Sequence, residues 1–471
     1  MRRLLPTPIC LILLILACTA CTGKVHQFPP DDTSVRLDST HLPIVWIEVD
    51  ADSISRTTRV PARMTIIHNG EGHLNYADTA SHPGQHIDYR GPIALRYRGN
   101  STYHASDKKP YSIRTLKAPL NRSGKKRKVS LLGMGKDNNW ALLAPYADKS
   151  MMRDLLTYTL ARPWMEYVPQ GRYCEVIIDG MYYGIYILME VVSTGKQRLA
   201  LDKPGQSGDA LTGGYLMEVD CDDEPTYTSR YHPTGSDGRP IADRRILFQF
   251  KSPDYDDLSP RQQRYITGRI DQMEQALASE GYRDPQQGYR QHIDVLSFVD
   301  YQLMTELCHN VDGYRLSGKF YKRRDSEDPR FKMALWDTDL AYGNASHSEG
   351  WRTDTWVYQG NDMLRRGGEV YLVPFWWQRL NSDPYYTATL KARWAQYRQS
   401  NMSDERIMAT IDSLARVLTS HGAMDRNSQA WPRWGRQVWP NHYVATDYAD
   451  EVAHLKQWIT QRLAWIDAQL R

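Results

Sequence analysis

YCEVIIDGMYYGIYILME, running from Tyr173 to Glu190, reads as two strands folded back on Asp179-Gly180. Asp-Gly accepts the positive φ angles of a tight hairpin turn, and the flanking runs are β-branched and aromatic. Upstream, Lys149 to Ala161 carries Met152, Leu155, Leu156, Thr159 and Leu160 at helical spacing and stops at Pro163. Downstream of Gly213-Gly214, Tyr215 to Val219 and Ile246 to Lys251 read as short strands. Asp294 is a candidate N-cap for a helix with Leu296, Val299, Leu303 and Leu307 on one face, and Phe331 to Trp336 returns to strand alternation. Two apolar stripes close the chain: Ile407, Ile411, Leu414 and Leu418, then Val452, Leu455, Ile459, Leu463 and Ile466. On the N-terminal side, 42–50 and 60–70 alternate as strands, and a second strand-rich stretch begins at Ile93. The Trp-rich span 351–377 resolves into neither period. The class is α+β, strand-rich first and helical later.

A chain of 471 residues, 41% hydrophobic and 24% charged, can bury a large core, which excludes a mostly disordered or multi-span membrane protein. A formal charge of +4 is too small to argue for nucleic acid as a polyanionic partner. Arg2 and Arg3 precede the apolar stretch Ile9 to Ala17, too short to span a bilayer as a stable helix and suited to the core of an export signal. Leu14-Ile15-Leu16-Ala17-Cys18 resembles a bacterial lipobox, which implies diacylglycerol on Cys18. Cys21 is the weaker candidate, and an ordinary signal peptide is the alternative. The expectation is a signal over 1–17, a polar tether over 18–40, and a body held at the cell envelope by its lipid alone. Cys174, Cys221 and Cys308 are odd in number and scattered, so neither a disulfide framework nor zinc is expected.

Two clusters can carry chemistry. Trp336-Asp337-Thr338-Asp339 ends a predicted strand, where alternate residues share a face and can offer oxygens to one hard cation such as magnesium or manganese. About 25 residues earlier, His309-Asn310-Val311-Asp312 sets a third carboxylate in a loop. The same aspartates would equally cap turns, and a lone D-x-D also occurs in metal-dependent glycosyltransferases. The basic cluster runs from Arg96, Arg98 and the Gly99-Asn100-Ser101-Thr102 loop to Lys108, Lys109 and Arg114. Such a loop can meet a phosphate, or be a solvated hairpin. Lys125-Lys126-Arg127-Lys128 reads as a solvated loop. No G-x-S-x-G elbow, Walker loop, H-R-D or D-F-G is present.

Taken together, RGNST (98–102), KKPYSIR (108–114), LLGM (131–134), WALLAPYADKSMMRD (140–154), DGMYYGIYILME (179–190), GGYLMEVD (213–220), HNVDGYRLS (309–317) and WDTDLAYGN (336–344) resemble the spore-coat protein H (CotH) kinase family. The resemblance implies an atypical protein-kinase-like, two-lobed fold, with an N-terminal β element over 41–90, a core over 91–345 and a helical part over 346–471. It implies transfer of the γ-phosphoryl of ATP, with Mg²⁺ or Mn²⁺, to Ser or Thr of an envelope or secreted protein. In that scheme Asp312 orients or deprotonates the acceptor with Asn310 beside it, and Asp337 and Asp339 hold the metal. Arg98 and Lys109, or Lys108 if the strand slips by one, face the nucleotide. Glu190 is preferred to Asp154 as the acidic cleft partner. The resemblance also allows a surface-binding protein on the same scaffold, for which the Trp-rich span would supply a face.

Overall fold

The computed structural model describes residues 27–224 and 226–471; Cys18 and Cys21 lie outside them. The elements are β1 (Ser39–Thr40), β2 (Ile44–Val49), β3 (Val60–Ile67), β4 (Asn75–Tyr76), β5 (Ile87–Tyr97), α1 (Ser101–Ala105), β6 (Tyr111–Thr115), β7 (Asn139–Leu143), α2 (Arg153–Ala161), β8 (Gly171–Ile178) and β9 (Met181–Glu190). There follow β10 (Tyr215–Val219), β11 (Thr226–Thr228), β12 (Leu247–Ser252), α3 (Pro260–Ala278), α4 (Val295–Cys308), β13 (Gly318–Lys322) and β14 (Phe331–Ala334). The chain ends with α5 (Asn361–Arg366), α6 (Trp376–Asn381), α7 (Pro384–Arg398), α8 (Asp404–Thr419), α9 (Ala423–Ala430) and α10 (Tyr448–Leu470).

The β8–β9 hairpin turns at Asp179 (φ 48°) and Gly180 (φ 81°), as its Asp-Gly requires. Asp179 also accepts the Val49 N–H at 2.8 Å, pinning the turn to the end of β2. There β2 pairs in parallel with β8 and closes a barrel ordered β2-β3-β5-β6-β7-β9-β8. Alternation along β5 and β6 sends Ile93, Leu95, Tyr97, Tyr111 and Ile113 into the barrel core. Their neighbours Arg96, Arg98, Ser112 and Arg114 face outward onto a cleft. The 90/91 boundary expected from sequence falls inside β5, so residues 41–90 contribute staves to this barrel rather than packing as an element of their own.

A second, antiparallel sheet runs β11-β12-β10-β13-β14, and its apolar face shares a core with α2, α3, α4 and the later helices. The expected strand-rich N-terminal part and helical C-terminal part are both present. The C-terminal part reaches back to the barrel: Trp431 donates to Tyr183 O at 2.8 Å, and Asn427 accepts from Ile185 N at 3.0 Å. The C-terminal end of the Trp-rich span is core, with Trp376 and Trp377 both 1% exposed, while Trp351 and Trp356 are only partly buried.

Helix α4 positions the acid loop. Asp294 caps its start by accepting the Ser297 N–H at 3.0 Å, and His309 ends it in the left-handed region at φ 49°. The chain then turns through Asn310 and Asp312.

Candidate active site

Between the arginine-bearing barrel wall and the second sheet lies an open cleft of about 1380 Å³. Asp312, Asp337 and Asp339 all line it, with Asp154 from α2 and Asp148 from the preceding turn. The strand geometry expected for Asp337 and Asp339 is not what unites them: β14 stops at Ala334 and Asp337 is left-handed, φ 64°. Specific hydrogen bonds hold the bend. Asp337 N donates to Tyr158 Oη at 3.0 Å, Asn310 Nδ2 donates to Asp337 O at 2.9 Å, and Thr338 N and Oγ1 donate to Asp154 Oδ1 at 2.8 and 2.9 Å. Asn310 Oδ1 meanwhile accepts Asp312 N at 3.2 Å. One amide therefore ties the two acid loops together. His309, Ser317 and Asp337 are all non-glycine residues in the left-handed region, a cost of about 1–2 kcal/mol each that surrounding contacts must offset.

The acids repel one another. Burial raises Asp339 well above the ordinary carboxylate range, and Asp337, Asp154, Asp148 and Asp312 raise it further. Asp337 opens to the cleft yet sits deep within protein mass; this desolvation raises its pKa, Arg98 opposes the rise, and Asp312 adds to it. Burial, then the charge of Asp337, raises Asp154. Asp337 accepts from Ser317 Oγ at 3.3 Å, and no described residue donates to the Asp339 carboxylate.

The facing wall is cationic. Arg98 lies over the Trp336 ring at 5.3 Å and is drawn to Asp337. Arg59 donates to Ser112 O and Oγ at 2.9 Å; burial, then Arg114, Arg96 and Arg98, push it down to about 9. Arg96 Nε is buried with no partner among the described residues. At the floor Lys319 ion-pairs with Glu218, whose other oxygen meets Lys251 at 2.8 Å.

A family model for CotH kinase proteins matches residues 95–466. The chain belongs to the CotH kinase family. Among curated proteins no similar sequence was found. The CotH match begins inside β5 and ends in α10, so it takes in every cleft acid and arginine named above except Arg59.

Three residues expected in the CotH cleft lie elsewhere. Lys109 Nζ donates to Tyr103 O at 2.6 Å and Ser106 O at 2.5 Å beneath the Phe28 ring, 4.2 Å away. Lys108 points the opposite way, buried behind β9, donating to Ile185 O at 2.5 Å and Asn427 Oδ1 at 2.9 Å. Both precede β6, where alternation had not begun, so strand register could not place either. Glu190 is fully buried and saturated by Arg198, Gly135 N at 2.7 Å, Tyr167 Oη at 3.1 Å and Gln170 N at 3.1 Å. The competing acid, Asp154, is the one that lines the cleft. Sequence reasoning gave no role to Glu218, Lys319 or Asp148; Glu218 and Asp148 stood in family-like blocks, but only long-range strand pairing brings Glu218 opposite Lys319.

Among the described residues no three metal-ligating side chains already converge on one point. The donor set nevertheless fits a hard cation: hard oxygens with an unbonded carboxylate at Asp339 and an excess of negative charge around it.

Proposed function

We propose that this chain is an atypical kinase that transfers the γ-phosphoryl of ATP to Ser or Thr of a protein. The observation that carries the reading is the convergence of Asp312, Asp337 and Asp339 in one cleft opposite Arg98. Phosphoryl transfer is catalysed chiefly by positioning and charge neutralisation. In this reading the barrel and the helical part are the two lobes of a kinase-like fold, and the donor phosphates lie along Arg98 and Arg96, with Lys319 at the floor. Asp337 and Asp339 would hold Mg²⁺ or Mn²⁺. When bound, such an ion neutralises charge on the phosphates.

Asp312 accepts the proton of the acceptor hydroxyl as its oxygen bonds the γ-phosphorus and the bond to the β-phosphate oxygen breaks, releasing ADP. Arg315 Nη2, 2.8 Å from Asp312 Oδ1, fixes the carboxylate that Asn310 sets from the backbone side. Arg98 takes the place first given to Lys109. We further propose that Cys18 carries lipid and holds the body at the envelope, where its acceptors would be.

Incubation of the full chain with labelled ATP, Mn²⁺ and a Ser-rich acceptor tests the activity. Label should appear on the acceptor and vanish with Asp312→Ala. Label that survives that change, or thermal stabilisation by nucleotide sugars and not by ATP, would overturn the reading.

A further inference from the structure

The cleft is larger than the roughly 300–1,000 Å³ that small ligands occupy, and the barrel arginines line only part of it. Trp439 also lines it, 49% exposed and stacked on His347 with centroids 5.7 Å apart and planes at 27°. Both line the same cleft as the acids. Exposed tryptophan on a well-fixed loop is a recurrent binding anchor, because its large ring is buried by a partner at little entropic cost.

Trp439 is well fixed. Its neighbour Val438 is buried, and Asn441 donates to Ala147 O and Asn344 Oδ1, both at 2.7 Å. Asn344 in turn donates to Asp339 O at 2.9 Å. Ser346 N donates to Pro440 O at 2.7 Å, joining the His347 loop to the Trp439 loop. From His347 the contacts pass through Ser348 to Glu369 at 3.3 Å, from Glu369 to Arg315 at 2.9 Å, and from Arg315 to Asp312. The ledge is thus braced against both acid loops. Leu316, Leu340 and Tyr371, each partly exposed, line the same cleft, and Arg315 pairs with both Asp312 and Glu369.

We propose that the Trp439–His347 ledge is the docking site for the acceptor polypeptide, selecting an aromatic or long apolar side chain next to the acceptor Ser or Thr. The proposal rests on the kinase reading for its occupant. The ledge shares the cleft with Asp312 and is joined to its loop through Glu369 and Arg315, so a polypeptide that brings a hydroxyl to Asp312 can lay a flanking side chain on Trp439.

Fluorescence anisotropy of labelled Ser peptides on the full chain tests docking without catalysis. Peptides differing only in Phe, Ala, Asp or Lys beside the Ser should rank with Phe tightest. Trp439→Ala should weaken the Phe peptide about tenfold and erase its advantage over Ala, and Trp439→Phe should restore most of it. In transfer assays the same change should raise KM for the Phe peptide and leave KM for ATP unmoved. Equal binding of Phe and Ala peptides, a preference for Asp or Lys, or indifference to Trp439→Ala would overturn the ledge. Loss of ATP-dependent labelling with intact Phe selection would strike only the kinase reading.

Discussion

Asp339 has no hydrogen-bond donor to its carboxylate and stands among Asp337, Asp154, Asp148 and Asp312. Its raised pKa means that ionisation opposes folding: the stability it contributes is present at low pH and lost as pH rises through the folded value. Asp339→Asn should therefore raise Tm in EDTA at pH 8, by about 1 °C per kcal/mol of relieved repulsion for a chain of this length, and weaken stabilisation by Mn²⁺. A fall in Tm would show that the acid is structurally needed. A second contrast separates the two cationic assignments. Arg98→Ala should raise KM for ATP about tenfold or more, whereas Lys109→Ala, which loses contacts only to the α1 loop and the Phe28 ring, should leave KM for ATP within about twofold. Steady-state kinetics on both variants check this. The acids were legible as residue types at suggestive spacing. The lysines were not, because a side chain just ahead of a strand takes whichever direction its tertiary contacts favour, here the α1 loop and the interior behind β9.

At the scale of elements, buried Glu274 on α3 accepts from Ser229 Oγ at 2.6 Å and Trp376 Nε1 at 2.9 Å. Burial pushes its carboxyl up to about 7 from an ordinary 4.5. A folded pKa above the unfolded one gives stability that is complete below about 4.5 and lost as pH rises through 7. Unfolding free energy should thus fall by up to on the order of 3 kcal/mol from this group between pH 4.5 and 8, and Glu274→Gln should flatten that slope in denaturant titrations. The elements with strong local signals were legible: the Asp-Gly hairpin, the Asp294-capped α4, and the stripes of α8 and α10. Closure of the barrel was not, because it depends on parallel pairing of β2 with β8, more than 120 residues apart in register, and no local pattern encodes that partnership. The capping box at Ser259 and Gln262 that opens α3 was a local signal that went unused.

Across the whole molecule, one cleft sets arginines of the barrel against the carboxylates of Asp312, Asp337 and Asp339, with Lys319 and Arg315 interspersed among the acids. A site of this kind should be completed by a metal-bound polyanion. ATP with Mn²⁺ at about 100 times Kd should add about 2.7 kcal/mol to the folded state, read as a rise in Tm that neither ATP nor Mn²⁺ alone reproduces. Family membership was legible from the order of short blocks along the chain, although the facing of arginines and acids was not, since Arg114 and Asp312 lie about 200 residues apart and only the tertiary fold brings the two groups to one cleft. The most direct measurement is the anomalous signal of Mn²⁺ in crystals grown with a non-hydrolysable ATP analogue. The account requires a peak at about 2.0–2.2 Å from Asp337 or Asp339 oxygens, with the analogue's phosphates against Arg98 and Asp312 facing the terminal one. A metal held away from both aspartates, or a nucleotide bound outside this cleft, would contradict it.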